Sequence, residues 1–376
     1  MIEFKISAPG RIILSGEYAA IYGKNFVMAN LNRRTTLKFA EIIKYKLFRK
    51  TCNIEFPDVG LSLNLPFELV KNFLHSCDII GTNNARLFKY VQYFITVNGM
   101  WSTYEQRFSL QMFFFSLFFI VRREQLDIRS FCVHVKTEIP MHAGLGSTTS
   151  FAVCVAACFL HWSRLQRGDH NEFSFDELLL IGTSAVECRK PICNAMYMMD
   201  IPVCLNSNVA MRCQLLNCYL AYNISTFLTP EKRILLIDST VCQNKYKQIE
   251  YVAQLKRFYP EIIDRHLNTI DEISNNISTK LALDDQFDIL QNYIQMNQHV
   301  LSELNLSNEK LNDISEIAYV YGYVGKLTGI GERKFAYILL RPGISGEEIG
   351  NISAHLESNF PVTVTSISCD GIRIED

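Results

Sequence analysis

The sequence carries no excess of either charge: 37 Lys and Arg stand against 38 Asp and Glu, a formal net charge of −1 with a pI near 6.7. With no basic field to draw in nucleic acid or an anionic membrane surface, neither is an expected partner. A long apolar run is also missing. The greasiest stretch, MFFFSLFFIV from Met112 to Val121, is far short of the roughly 20 residues a membrane span requires, and it reads as a buried helix. There are no internal repeats and no low-complexity tract. Twelve cysteines occur without a recurring pair spacing, which argues against a disulfide framework. It argues equally against a thiolate metal site at Cys154 and Cys158 or at Cys188 and Cys193. The chain opens on the strand-like IEFKISAPG rather than on a signal segment, so reduced, buried thiols in a cytoplasmic protein are expected.

What is present has the texture of two folded units. A length of 376 residues is enough for two cores. Phe131, Val133 and Val135 alternate with Cys132, His134 and Lys136, the period of a half-buried strand. Beyond about residue 224 a strand, RILLIDSTV, leads into helical spacing: Ile249, Val252 and Leu255, then Ile263, Leu267 and Ile270, with Pro260 suited to a first helical turn. Near the end EEIGNISAHLESNF reads as a helix and PVTVTSISCDGIRIED as a closing hairpin. The expectation is an α+β chain with domains at 1–224 and 225–376.

Between the strand at Phe131 and a small-residue helix from about Ser147 lies PMHAGLGSTTS. A helix N-terminus offers unpaired N–H groups and a positive dipole end, and glycines let an anion come close, so the turn is shaped for phosphate. It is not a P-loop, because the lysine of GxxxxGK[ST] is missing, and for a dinucleotide fingerprint Thr149 occupies the place of the third glycine. By itself the turn is equally compatible with binding nothing, Ser147 and Thr148 then being N-caps.

Two further stretches narrow the reading. SAPGRIILSGEYAAIYGKNFVMANLNRRT (Ser7 to Thr35) and KLTGIGERKFAYILL (Lys326 to Leu340), with the GLGSTTS turn between them, resemble the three motifs of the GHMP kinase family in order and spacing. The first is most similar to the mevalonate-phosphorylating branch. The resemblance implies a ribosomal-S5-like N-terminal domain, a ferredoxin-like C-terminal domain, and transfer of the ATP γ-phosphoryl group to a primary hydroxyl in isoprenoid precursor synthesis. ATP and mevalonate are the implied partners and Mg²⁺ the implied cofactor, with a homodimer left open.

Residue by residue, the resemblance implies Asp200 as the base that takes the hydroxyl proton and Arg11 as the catalytic cation. Thr148 and Glu187 would be Mg²⁺ ligands, and Gly144, Leu145, Gly146, Ser147, Thr148 and Thr149 the phosphate contacts. Glu17, Tyr18 and Thr328 would line the substrate. The chain departs from the pattern at several of these places. Arg11 replaces a lysine, and a planar fork is not a compact ammonium. Tyr18 replaces a histidine. The loop before Asp200, CNAMYMMDIP, has lost its glycines and serine, with Met196, Tyr197, Met198 and Met199 expected to pack beneath the aspartate. The glycine-rich end of the third motif has become GERKF, which puts a close backbone approach at Glu332 and Arg333 in question. A kinase for another small alcohol, and a non-catalytic ligand-binding or regulatory protein on the same scaffold, are the competing expectations.

Overall fold

The computed structural model describes residues 2–42, 50–80, 83–190, 199–215 and 222–375. Its order is β1 (Glu3–Ser15), β2 (Asn25–Glu41), β3 (Thr51–Phe56), β4 (Leu61–Pro66), α1 (Phe67–Ile80), α2 (Asn84–Val97), α3 (Tyr104–Glu124), β5 (Phe131–Thr137), α4 (Ser147–Leu165), α5 (Phe175–Arg189) and α6 (Ile201–Leu205). There follow β6 (Val209–Leu215), β7 (Tyr222–Leu228), β8 (Lys232–Cys242), α7 (Lys245–Phe258), α8 (Pro260–Lys280), α9 (Phe287–Glu303), α10 (Glu309–Val320), β9 (Gly325–Thr328), β10 (Arg333–Leu339), α11 (Gly346–Glu357), β11 (Val362–Ile367) and β12 (Arg373–Glu375). The class is α+β, as expected.

Local rules explain the main elements. The phenylalanine-rich run sits in α3, with Phe113, Phe114, Phe115 and Phe118 fully buried. A capping box of Thr103 and Gln106 starts that helix. β5 buries Phe131, Val133 and Val135 and turns Lys136 outward, which is the alternation its sequence shows. Pro260 occupies the first turn of α8, where its missing N–H costs nothing. No described helix is long and apolar enough to cross a membrane.

The strands form one connected sheet in the order β4-β3-β5-β2-β11-β8-β10-β9, with β1 joining β2 to β12 and β6 joining β2 to β7. The 17-residue β2 is the spine. Its first part pairs with β6, its last part with β5, and Leu31 between them meets Ile367 of β11. One core lies between the N-terminal strands and α1 to α5. A second lies between β8 and β10 and the helices α7, α8, α10 and α11. Strand β7 runs across residue 224, the expected domain junction.

The end of the chain corrects one expectation. β11 pairs with β8 and touches β2, whereas β12 crosses to the other half and pairs with β1, Lys5 opposite Glu375, so the two strands form no hairpin. The reason lies in two side chains of β2. Asn30 donates to the Cys369 carbonyl (2.8 Å) and accepts from the Cys369 N–H (2.7 Å), while Arg34 donates to the carbonyls of Asp370 and Gly371. These bonds satisfy the backbone of the connection where a hairpin partner otherwise would.

Candidate active site

Arg11 reaches the site from β1, just past a register shift between Pro9 and Gly10 that re-aims the strand against β2. The glycine turn is fastened to it directly: the Arg11 N–H donates to the Leu145 carbonyl at 2.8 Å. Gly146 has φ +87°, and a Cβ there would lie 2.7 Å from Arg11 Cγ, so only glycine lets α4 begin beside this side chain. Gly146 is also the N-cap and has no side chain to offer, so the first-turn N–H groups of α4 remain available to an anion. Ser147 and Thr148 are half-buried, and their hydroxyls neither cap the helix nor meet a partner among the described residues.

The third motif closes the other side of the turn. A Cβ on Gly331 would fall 2.2 Å from the Ala143 carbonyl carbon, so two backbones touch here and a side chain cannot enter. The Glu332 and Arg333 N–H groups both donate to the His142 carbonyl, at 2.8 and 3.2 Å. The close approach in question at GERKF is therefore made at Gly331, and the next two amides are committed to the glycine turn itself. The His142 imidazole is solvated, with 57 % of its side chain exposed.

Asp200 lies at the start of α6, only 4 % exposed, and both of its oxygens are engaged. Oδ2 accepts from Thr149 Oγ1 at 2.6 Å and from Arg11 Nε at 3.2 Å, and Oδ1 accepts from Arg189 Nη1 at 3.3 Å. Burial pushes its pKa up, but Arg189, Arg11 and the Thr149 hydroxyl together outweigh that, and the carboxyl is held below its ordinary range. Arg11 keeps one buried nitrogen, Nη1, with no partner among the described residues. Such a donor calls for an anion or a water. Met199 packs beneath, in a small core with Ala20, Phe26, Met28 and Val203. Cys193, Met196, Tyr197 and Met198 lie outside the described residues.

The remaining expected residues fall into two groups. Glu187, near the end of α5, accepts from Asn84 Nδ2 at 2.7 Å and from Lys190 Nζ. The structure does not join it to Thr148. Glu17, Tyr18 and Thr328 are buried and engaged internally. Glu17 pairs with Lys326 at 2.7 Å, both side chains fully buried. The Thr328 hydroxyl bridges the Ile13 N–H and carbonyl, stitching β9 to β1. Tyr18 donates to Gln248 Oε1 at 2.7 Å. Sequence reasoning missed Arg189 as a second cation on Asp200 and assigned Thr149 to phosphate instead of to the aspartate. No spacing signals either contact, because the contacts join α4, α5 and α6 across the fold.

Residues 115–207 match the model for the GHMP kinases N terminal domain, a span that holds the glycine turn, Glu187 and Asp200. Over 388 residues the chain is 26 % identical to the mevalonate kinase of Homo sapiens, covering 98 % of this chain and 94 % of that protein. The chain is a homologue of the GHMP kinases. As a GHMP kinase homologue it also shares their fold. The mevalonate kinase of Methanococcus jannaschii superposes with a TM-score of 0.66 at 15 % identity, over 100 % of this chain and 99 % of that one. The L. major mevalonate kinase, solved in complex with R-mevalonate, does so with 0.65 at 12 % identity, over 98 % and 96 %.

Proposed function

We propose that the protein transfers the γ-phosphoryl group of ATP to the primary hydroxyl of mevalonate, giving 5-phosphomevalonate. The observation that carries this reading is the convergence, beside an anion-shaped helix N-terminus, of one buried, ionised carboxylate and a guanidinium with an unused donor. The full-length similarity to curated mevalonate kinases supports the choice of alcohol.

The chain's own residues supply most of what the reaction needs. The first turn of α4 and the flanking Gly144, Leu145 and Gly146 receive the phosphates through backbone N–H groups, and Arg11 Nη1, without a partner among the described residues, serves the transferring group as a further donor. Asp200 takes the hydroxyl proton. Its lowered pKa makes it a weak base, which suits phosphoryl transfer: in a loose transition state the nucleophile gives up its proton late, so position counts for more than basicity. Thr149 and Arg189 hold the carboxylate through its two different oxygens.

Thr148 and Glu187 suit Mg²⁺ by donor type. Both present oxygen, and among the described residues the Thr148 hydroxyl has no partner and Glu187 is tied only to Asn84 and to the half-exposed Lys190, which an arriving cation can displace. Bound there, Mg²⁺ would neutralise charge on the phosphates.

The test is an ADP-release assay with mevalonate, phosphomevalonate, homoserine and galactose. The expected result is Mg²⁺- and ATP-dependent turnover with mevalonate strongly preferred. Equal turnover of homoserine, or turnover of none, overturns the proposal.

A further inference from the structure

Lys334 is a buried cation that the reaction scheme above does not use. It follows the two residues of the third motif that bind His142, and its side chain is only 1 % exposed. Its Nζ donates to Gln248 Oε1 on α7 and, at 3.3 Å, to the Tyr18 hydroxyl, so every partner it has among the described residues is neutral. The carboxylates on the neighbouring segments are taken. Glu17, beside Tyr18 in the chain, is paired with Lys326, and Asp238, on the neighbouring strand β8, is paired with Arg333. Burial pushes the Lys334 pKa down to about 8, and no neighbouring charge contributes to that shift. The side chain therefore remains mainly protonated at neutral pH, an ammonium removed from water with no counterion among the described residues.

The geometry of its partners shows what is missing. Tyr18 Oη, from the segment after β1, and Lys334 Nζ, from β10, converge on one oxygen, Gln248 Oε1. The amide of Gln248 is held in turn by Gln243 Oε1 at 2.6 Å, and Gln248 itself is half-buried. A phenol and an ammonium donating to a single sp² oxygen is the arrangement that binds a carboxylate oxygen, and it is worth more with a charged acceptor than with a neutral amide.

We propose that Lys334 and Tyr18 form a fork for the carboxylate of the substrate, with the Gln248 side chain holding its place until the substrate displaces it. This rests on the reading of the substrate as a hydroxy acid, and it assigns to Lys334 the discrimination between that acid and neutral alcohols. The fork is built from two of this chain's departures, Tyr18 for histidine and lysine within GERKF, and each supplies one of its donors.

The experiment compares mevalonate with its primary amide, which keeps the hydroxyls and loses the charge, in the wild type, Lys334→Gln and Gln248→Glu. In the wild type the acid is preferred in kcat/KM. Lys334→Gln should raise KM for the acid about tenfold or more while leaving KM for the amide and for ATP near the wild-type values, because a charged hydrogen bond is lost only with the acid. The alkaline limb that deprotonation of Lys334 adds to the kcat/KM profile of the acid near pH 8 should vanish in the same variant. Gln248→Glu places a carboxylate permanently on the fork. It should raise the melting temperature by pairing the buried ammonium, and raise KM for the acid by internal competition, and this arm stands even where Lys334→Gln folds poorly. An acid-to-amide ratio unchanged in both variants makes Lys334 a structural strut and overturns the fork. Failure of the wild type to turn over mevalonate overturns the substrate reading, and the fork with it.

Discussion

Asp200 and Glu17 are both buried carboxylates, each within bonding distance of a cation; burial raises both, yet their partners leave them on opposite sides of the ordinary value. Asp200 has two guanidiniums and a hydroxyl on its two oxygens and lies below its ordinary pKa. Glu17 has a single ammonium, its Oε2 lacks a partner among the described residues, and it lies above its ordinary pKa, burial being the larger effect; Lys326 is correspondingly lowered. Desolvation is paid for in bonds, and one partner is too few where three are enough. The first arrangement keeps a charge ready for chemistry. The second is a clamp between the end of β1 and β9, in which burial works against the charge on both partners.

The largest effect that sharpens this contrast is catalytic. Asp200→Asn keeps shape and removes the proton acceptor, so kcat should fall by roughly 10²–10⁴ with little change in substrate KM, measured by steady-state kinetics. A kcat near that of the wild type would take Asp200 out of the chemistry and reduce it to an anchor like Glu17.

Next in size is the clamp. Lys326→Met leaves Glu17 buried without its cation and should cost about 3–5 kcal/mol in urea unfolding. Adding Glu17→Gln to the same chain should recover much of that loss. A single variant as stable as the wild type would show that the Glu17 charge is already absent, making the pair a neutral hydrogen bond.

The smallest effect is the pH dependence, and here the two carboxylates should have opposite signs. Asp200 is lowered from 3.8, so its contribution is present above that pH and is lost as the pH falls through the folded value. Glu17 is raised from 4.5, so its contribution is complete below that pH and is lost as the pH rises through the folded value. Unfolding midpoints of Asp200→Asn should thus approach the wild type on acidification below about pH 3.8, and those of Glu17→Gln should gain on the wild type above about pH 4.5. Parallel curves would show that both groups ionise alike.

Much of this was legible in the chain. The alternation at Phe131 to Val135, the apolar run of α3, Pro260 and the glycine turn are local patterns, and local patterns follow from backbone sterics and side-chain period alone. The motifs likewise carried Arg11 and Thr148, and the resemblance pointed to Glu187 and Asp200 in the stretch between the second and third motifs. Contacts between elements were not legible. Arg189 stands two residues past Glu187 and eleven before Asp200, and nothing in that spacing says that α5 and α6 fold to bring it to the aspartate. Thr149 looks like one more hydroxyl of a phosphate turn until α4 is set against α6. The last sixteen residues read as a hairpin because alternation specifies a strand and not its partner, and Asn30 and Arg34 decide the partner from more than 300 residues away in the chain. The sequence by itself determined which segments are helix or strand and which residue types meet at the glycine turn. Only the tertiary structure decided which buried charges share partners, because a carboxylate's ionisation depends on how many donors reach it, and those donors come from every element packed around it.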